Sequence, residues 1–312
     1  MSSTVIVGLD GSRESLAAVD WAAEEALRRE VPLRLLQAWC GDGDPRTLLV
    51  DPVVARGWGE RTLGTAERRL RRRHPALEVE TEWTSGDPVE ELCAAGDEGE
   101  LLVLGSRGLG GLAGFLAGSV SLAVLARARR PVVLVRPQHR PAAAGPDDRA
   151  DRDDRDSRDG QAGPAGPAVP TGEVVVGLDV TRPGDEVLAF GFAAADRYGC
   201  GLRVLHSWAV PAICGPDMGG ALPLLMTEVA QDARRALDEA IAPWTDKYPG
   251  VPVARECHQG RPAHDLASAA REARLVVVGR RNRRGRIGTH IGAVTHAVIH
   301  HSAAPVAVVP HD

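Results

Sequence analysis

The chain repeats itself. Thr4-Val-Ile-Val-Gly-Leu-Asp10 returns as Glu173-Val-Val-Val-Gly-Leu-Asp179, and Leu35-Leu-Gln-Ala-Trp39 as Val204-Leu-His-Ser-Trp208, both 169 residues on. Farther along the interval is 174. Gly86-Asp-Pro88 pairs with Gly260-Arg-Pro262, Leu101-Leu-Val-Leu-Gly105 with Leu275-Val-Val-Val-Gly279, and Pro131-Val-Val-Leu-Val135 with Pro305-Val-Ala-Val-Val309. Gly118 pairs with Gly292 at the same interval. The second copy therefore carries five extra residues between Trp208 and Gly260. Two copies of one globular unit account for the 312 residues. The expected organisation is a domain at 1–137, a linker at 138–171 and a second domain at 172–312.

The linker reading rests on composition. Residues 138–171 hold seven Asp, five Arg and five Pro, with Val169 the one large apolar side chain. Such a segment cannot bury enough surface to offset its ordering entropy, so a disordered tether is expected.

Within each copy, short apolar runs alternate with helical spacings. The first copy reads as strands at 4–9, 32–38, 77–83, 101–104 and 131–136. Helices fall between them at 14–30, 60–73, 88–97 and 118–128, and the second copy follows the same order. Leu16, Val19, Ala23, Ala26 and Leu27 mark one helix side. Five apolar strands separated by helices give an α/β fold, a parallel sheet covered on both faces. Right-handed crossovers make it doubly wound. Two tandem five-stranded Rossmann-like domains are expected. Ligands of such sheets bind past the carboxyl ends of the strands, where the winding direction reverses. Here that is the end of the first strand, at Asp10, and of the fourth, at Gly105.

Composition narrows the function classes. The net charge of −5 exerts no pull toward nucleic acid or an anionic membrane. Lys247 is the one lysine, so no glycine-rich loop carries a P-loop lysine. The five cysteines are scattered and never spaced C-x-x-C, which fits a reducing cytoplasm. The N-terminus does not read as a signal peptide. Residues 108–126 carry no charge, yet five glycines crowd them, so a glycine-rich loop entering a helix is expected rather than a membrane span.

That loop carries the chemistry. Gly105-Ser-Arg-Gly108 runs through a glycine-rich stretch to Gly118-Ser119-Val120-Ser121. Glycines let backbone approach a phosphate closely. Gly118-Ser119 opens a helix whose free N–H groups and dipole favour an anion, and Ser119 and Ser121 add hydroxyls. A dinucleotide fingerprint also fits residues 108–113 but is rejected. It should follow the first strand with an acidic residue about 20 positions later, and 114–137 hold no Asp or Glu.

G-x2-G-x9-G-[ST] after the fourth strand resembles the ATP-binding signature of the universal stress protein family. The Gly-Leu-Asp opening and Pro-Val-Val-Leu-Val closing fit it too. The resemblance covers both copies and implies roles for individual residues. Asp10 faces the adenosine end of ATP, Ala38 contacts adenine through its backbone, and Leu104 and Gly105 line the ribose side. Gly108, Gly118, Ser119 and Val120 hold the phosphates, with Ser121 beside them. The second copy departs, with Asn282 where Gly108 stands and Ala293 where Ser119 stands, although Asp179 and Thr295 remain. Arginines at 280–286 would still attract phosphate. The second site is expected to be degenerate and empty of nucleotide.

The resulting expectation is a cytoplasmic stress-response module that binds ATP, with or without Mg, and is not an enzyme. No lysine or general base is aimed at a γ-phosphate. The resemblance also implies an intramolecular domain pair joined near the last strands, or a homodimer. Its protein partners are not readable, and neither nucleic acid nor membrane is expected. Two alternatives stay open, a nucleotide-independent interaction scaffold and a slow adenine-nucleotide hydrolase. His296 and His300 are spaced for zinc but lack an evident third ligand, so surface histidines and no metal are expected. The cysteines read as inert thiols.

Overall fold

A computed structural model describes residues 3–40, 51–106, 118–137, 172–209, 222–282 and 291–312. The expected linker at 138–171, Gly108 and Cys214 lie outside the described residues.

The first half runs β1 (Val5–Gly8), α1 (Arg13–Arg29), β2 (Leu33–Trp39), α2 (Pro52–Arg73), β3 (Val79–Ser85), α3 (Pro88–Glu98), β4 (Leu101–Gly105), α4 (Ser119–Arg127) and β5 (Val132–Val135). The second runs β6 (Val174–Gly177), α5 (Asp185–Tyr198), β7 (Leu202–Trp208), α6 (Leu222–Lys247), β8 (Val253–Gln259), α7 (Pro262–Ala269), β9 (Leu275–Arg281), α8 (Ala293–His301) and β10 (Val306–His311). The sheet order is β3-β2-β1-β4-β5-β10-β9-β6-β7-β8. Each half is parallel throughout, as its Val- and Leu-rich strands require. Alternate residues feed a core on each face. In β1, Val5 and Val7 pack on one side and Ile6 on the other.

The two five-stranded sheets are one ten-stranded sheet. β5 and β10 pair antiparallel, with Val133 opposite Ala307. The joint is reinforced from both sides. Arg280, buried, donates to the carbonyls of Ala126 and Ala128 at the end of α4. Arg136 donates to the Ile299 carbonyl near the end of α8. A cation at a helix C-terminus is favourable because unpaired carbonyls concentrate negative charge there. Burial pulls the Arg136 and Arg280 pKa values down from their ordinary value, the cost of holding both guanidinium groups inside. On the other face, Glu25 of α1 is 1% exposed. It accepts from Arg29 at 2.7 Å, from Arg197 of α5 at 3.2 Å and from the Tyr198 hydroxyl at 2.7 Å.

One element is longer than its periodicity predicts. α2 starts at Pro52, not near residue 60. Asp51 caps it by accepting from the Val53 N–H, and proline suits the first helical position. The apolar spacing misses this turn because Val53, Val54 and Trp58 are exposed.

The halves also diverge at the turn after the first strand. Gly11 has φ +81, which lets the chain turn at once into α1, capped by Ser12. Val180 stands there in the second half, and a β-branched residue avoids that conformation. The chain instead runs on through Gly184, so α5 begins at Asp185, three residues later than the repeat spacing predicts. Gly11→Val should therefore cost about 2 kcal/mol, the strain of a left-handed β-branched residue. A Cβ there meets ordinary contacts, at 3.5 Å to Thr62 and 3.7 Å to Trp58, so crowding adds little. Thermal unfolding measures it, and an unchanged midpoint would mean that the turn is not what starts α1.

Candidate nucleotide site

The strand order reverses between β1 and β4, and a cavity of 300 Å³ opens there. Its floor is apolar, from Leu36 of β2, Leu92 of α3 and Leu104 of β4. Asp10 and Ala38 stand at the ends of β1 and β2. Gly105 ends β4, and Gly118, Ser119, Val120 and Ser121 form the start of α4. All line this one cavity together with Leu104, so the structure gathers eight of the nine sequence-predicted residues. The ninth, Gly108, lies outside the described residues.

Each wall has a local cause. Gly105 is needed because β4 passes tightly under the first turn of α1. A Cβ there would lie 2.6 Å from the Glu14 carbonyl carbon and 2.7 Å from the Ser15 nitrogen, both backbone. Asp10 is exposed, and its Oδ1 accepts from the Ser12 N–H at 2.9 Å and from the Ser12 hydroxyl. Ser15 accepts from the Asp10 N–H at 3.3 Å. Sequence reasoning missed Ser12 and Ser15, although Ser-x-x-Ser at the head of a helical pattern signals a cap. α4 begins without a side-chain cap, so its first-turn N–H groups are open to an anion. The Ser119 side chain is exposed there, whereas the Ser121 hydroxyl donates to the Gly105 carbonyl at 3.0 Å. Ser121 therefore ties α4 to β4, and its proton is already used.

The second half has its own cavity, of 490 Å³, at the matching reversal between β6 and β9. Thr295 repeats the tie by donating to Gly279 O at 2.9 Å. Asp179 again accepts from the residue two ahead, here Thr181, and it also receives Arg281 at 2.6 Å. The changes at Asn282 and Ala293 have not filled the space.

The remaining candidates do not assemble. His296 and His300 stand with ring nitrogens 3.2 Å apart, but His300 is buried, not on the helix surface as expected. No group of three His, Cys, Asp or Glu side chains fit to hold a metal occurs among the described residues. Burial pushes the Cys93, Cys200 and Cys257 thiols up, away from the reactive thiolate. No helix among the described residues is long and apolar enough to cross a membrane.

The family model for universal stress proteins matches this sequence twice, over residues 1–136 and 171–310. The chain belongs to the universal stress protein family. A universal stress protein of Mycobacterium tuberculosis strain H37Rv is 32% identical over 311 residues, covering 97% of this chain and 96% of that protein. Its length match means that the doubled arrangement is shared. The crystal structure of a universal stress protein from Archaeoglobus fulgidus superposes with a TM-score of 0.63 over 100% of both chains at 18% identity. That likeness bears on the fold alone. A shorter universal stress protein, solved in complex with cAMP, is 33% identical over 43% of this chain and 97% of its own, with a TM-score of 0.34.

Proposed function

We propose that this universal stress protein binds ATP in its N-terminal cavity and serves as a nucleotide-sensitive regulatory module, not a catalyst. One observation carries the reading. Residues from four separate segments, named beforehand from the strand ends, the spaced motif and the family resemblance, line a single cavity at the winding reversal. Its two ends suit the two ends of ATP. Leu36, Leu92 and Leu104 offer an apolar bed for the base, and Asp10 offers a carboxylate acceptor for ribose hydroxyls. The first turn of α4 and the Ser119 hydroxyl offer donors for phosphate. Asp10 is the one acidic residue lining this cavity among the described residues, so magnesium would enter on the phosphates. ATP would act on the protein only through unequal affinity for two arrangements of the chain.

Asp10→Asn tests the ribose end while keeping an oxygen for the Ser12 turn. ATP affinity should fall about tenfold, the worth of one hydrogen bond to a charged group. The thermal midpoint should hold. Equal affinity in a binding titration would take Asp10 out of the site. Phosphate release should match a no-protein control, and release well above it would favour the hydrolase reading.

A further inference from the structure

We infer that Arg280, in the second half, is a positioning residue for the cavity of the first half, acting through α4 as a buried cation behind its phosphate end, on the reading that this cavity takes ATP. All the described residues that line the cavity belong to the first half. The second half therefore acts on the site from behind, through a helix that both halves hold.

Two differences between the copies build the contact. Ser106 stands 174 residues before Arg280, and its hydroxyl stays within its own half by donating to the Val135 carbonyl at 3.2 Å. Arg280 instead crosses the joint, donating to the carbonyls of Ala126, at 3.1 Å, and Ala128. Gly108 stands 174 residues before Asn282. Asn282 Oδ1 accepts from Arg280 at 3.2 Å, and its backbone N–H donates to the His311 carbonyl at 2.7 Å. The guanidinium is thus anchored from its own half by an amide that glycine lacks. The change at Asn282 reads as a lost phosphate contact in the second half, and it supplies an anchor for Arg280.

The reverse contact comes from a different position. Arg136 donates to the Ile299 carbonyl of α8, and the residue 174 after it is Pro310, which has no side-chain donor. The two arginines are not copies of one another, although each reaches a helix end in the opposite half. Each can be replaced without altering the other contact.

α4 is short enough for its far end to matter. Its nine residues span about 13 Å at the usual helical rise. A helix of that length is marginal alone, and its last carbonyls lack helical partners. Arg280, 6% exposed, brings donors and a full charge to those carbonyls. No carboxylate faces it among the described residues, so the charge is not cancelled. Neutralising the negative pole leaves the positive pole, at Gly118 and Ser119, unopposed. The guanidinium adds its own field along the same axis, and protein interior screens that field less than water does. At about 13 Å and an effective dielectric constant of about 20, a unit charge changes the affinity for one phosphate charge about tenfold.

The test is a calorimetric titration of the full chain and its variants with ATP and with adenosine. Arg280→Met keeps the length of the side chain and removes its charge, so ATP affinity should fall about tenfold. Adenosine carries no phosphate and should bind Arg280→Met as it binds the wild type, a readout that general loosening of the chain would move. Arg280→Lys restores a cation and should return ATP affinity to within about threefold of wild type. Arg136→Met removes the cation from α8 instead and should leave ATP affinity within about twofold. Unchanged ATP affinity in Arg280→Met overturns the inference. So does a fall that adenosine, Arg280→Lys or Arg136→Met shares in full. ATP binding that is absent from the wild type, or that Gly118→Asp leaves intact, overturns the reading of the first cavity and the inference with it.

Discussion

Gly118→Asp should remove ATP binding from the N-terminal cavity without unfolding the chain. Gly118 is the N-cap of α4, at φ −59 and ψ 148, backbone angles that any residue adopts. Aspartate is among the best N-cap residues and glycine is nearly as good, so the helix should gain about a few tenths of a kcal/mol. The same carboxylate occupies the anion end of the cavity, where it meets phosphate with like charge. Such a juxtaposition costs several kcal/mol, so affinity should fall at least about 100-fold. The variant separates site from fold because the two effects have opposite sign. Measuring ATP affinity and thermal midpoint together checks it. Unchanged affinity at an unchanged or raised midpoint would mean that phosphate does not reach α4.

Glu25→Ala should be the most destabilising single change at the joint between the halves. Glu25 is 1% exposed, and its side-chain ion-pair partners Arg29 and Arg197 are 11% and 23% exposed. Removing the carboxylate leaves two partly buried guanidinium groups and the Tyr198 hydroxyl short of an acceptor. Arg29 keeps a longer contact to Glu100, at 3.6 Å. Taking one partner from a buried pair costs about 3 kcal/mol. The expected fall in midpoint is about 6–12 °C. Burial and the adjacent Glu25 raise the Tyr198 pKa far above its ordinary value, so the phenol stays a neutral donor at any working pH. A double replacement, Glu25→Leu with Arg197→Leu, should recover much of the loss, because burying neither charge is often near neutral. A loss under about 1 kcal/mol for Glu25→Ala would mean that the cluster is not what holds α1 against α5.

Much of this architecture is legible in the residues. The duplicated Val-rich strands gave the parallel sheet, and the reversal between β1 and β4 follows from the crossover rule and strand order. The motif located the lining residues at the end of β4 and the start of α4, and the family resemblance added Asp10, Ala38 and Leu104. What escaped the reading depends on contacts distant in sequence. Glu25 sits on a helix whose apolar stripe marks it as surface, yet its partners are Arg197 and Tyr198, in the other copy. Ser121 reads as a free hydroxyl donor until the Gly105 carbonyl is seen 3.0 Å away. His300 reads as surface until the second core closes over it. The start of α2 is different. Its Asp51-Pro52 signal is local, but exposed Val53 and Val54 mask the apolar period. The second cavity is lined in part by Gly184 and His311, and neither belongs to the phosphate motif.

The most direct test of the central reading is a calorimetric titration of the full chain with ATP in the presence of magnesium, read for stoichiometry as well as affinity. Saturable binding near one ATP per chain is the predicted result, with the site in the N-terminal half. No saturable binding, or two equivalent sites per chain, would contradict it.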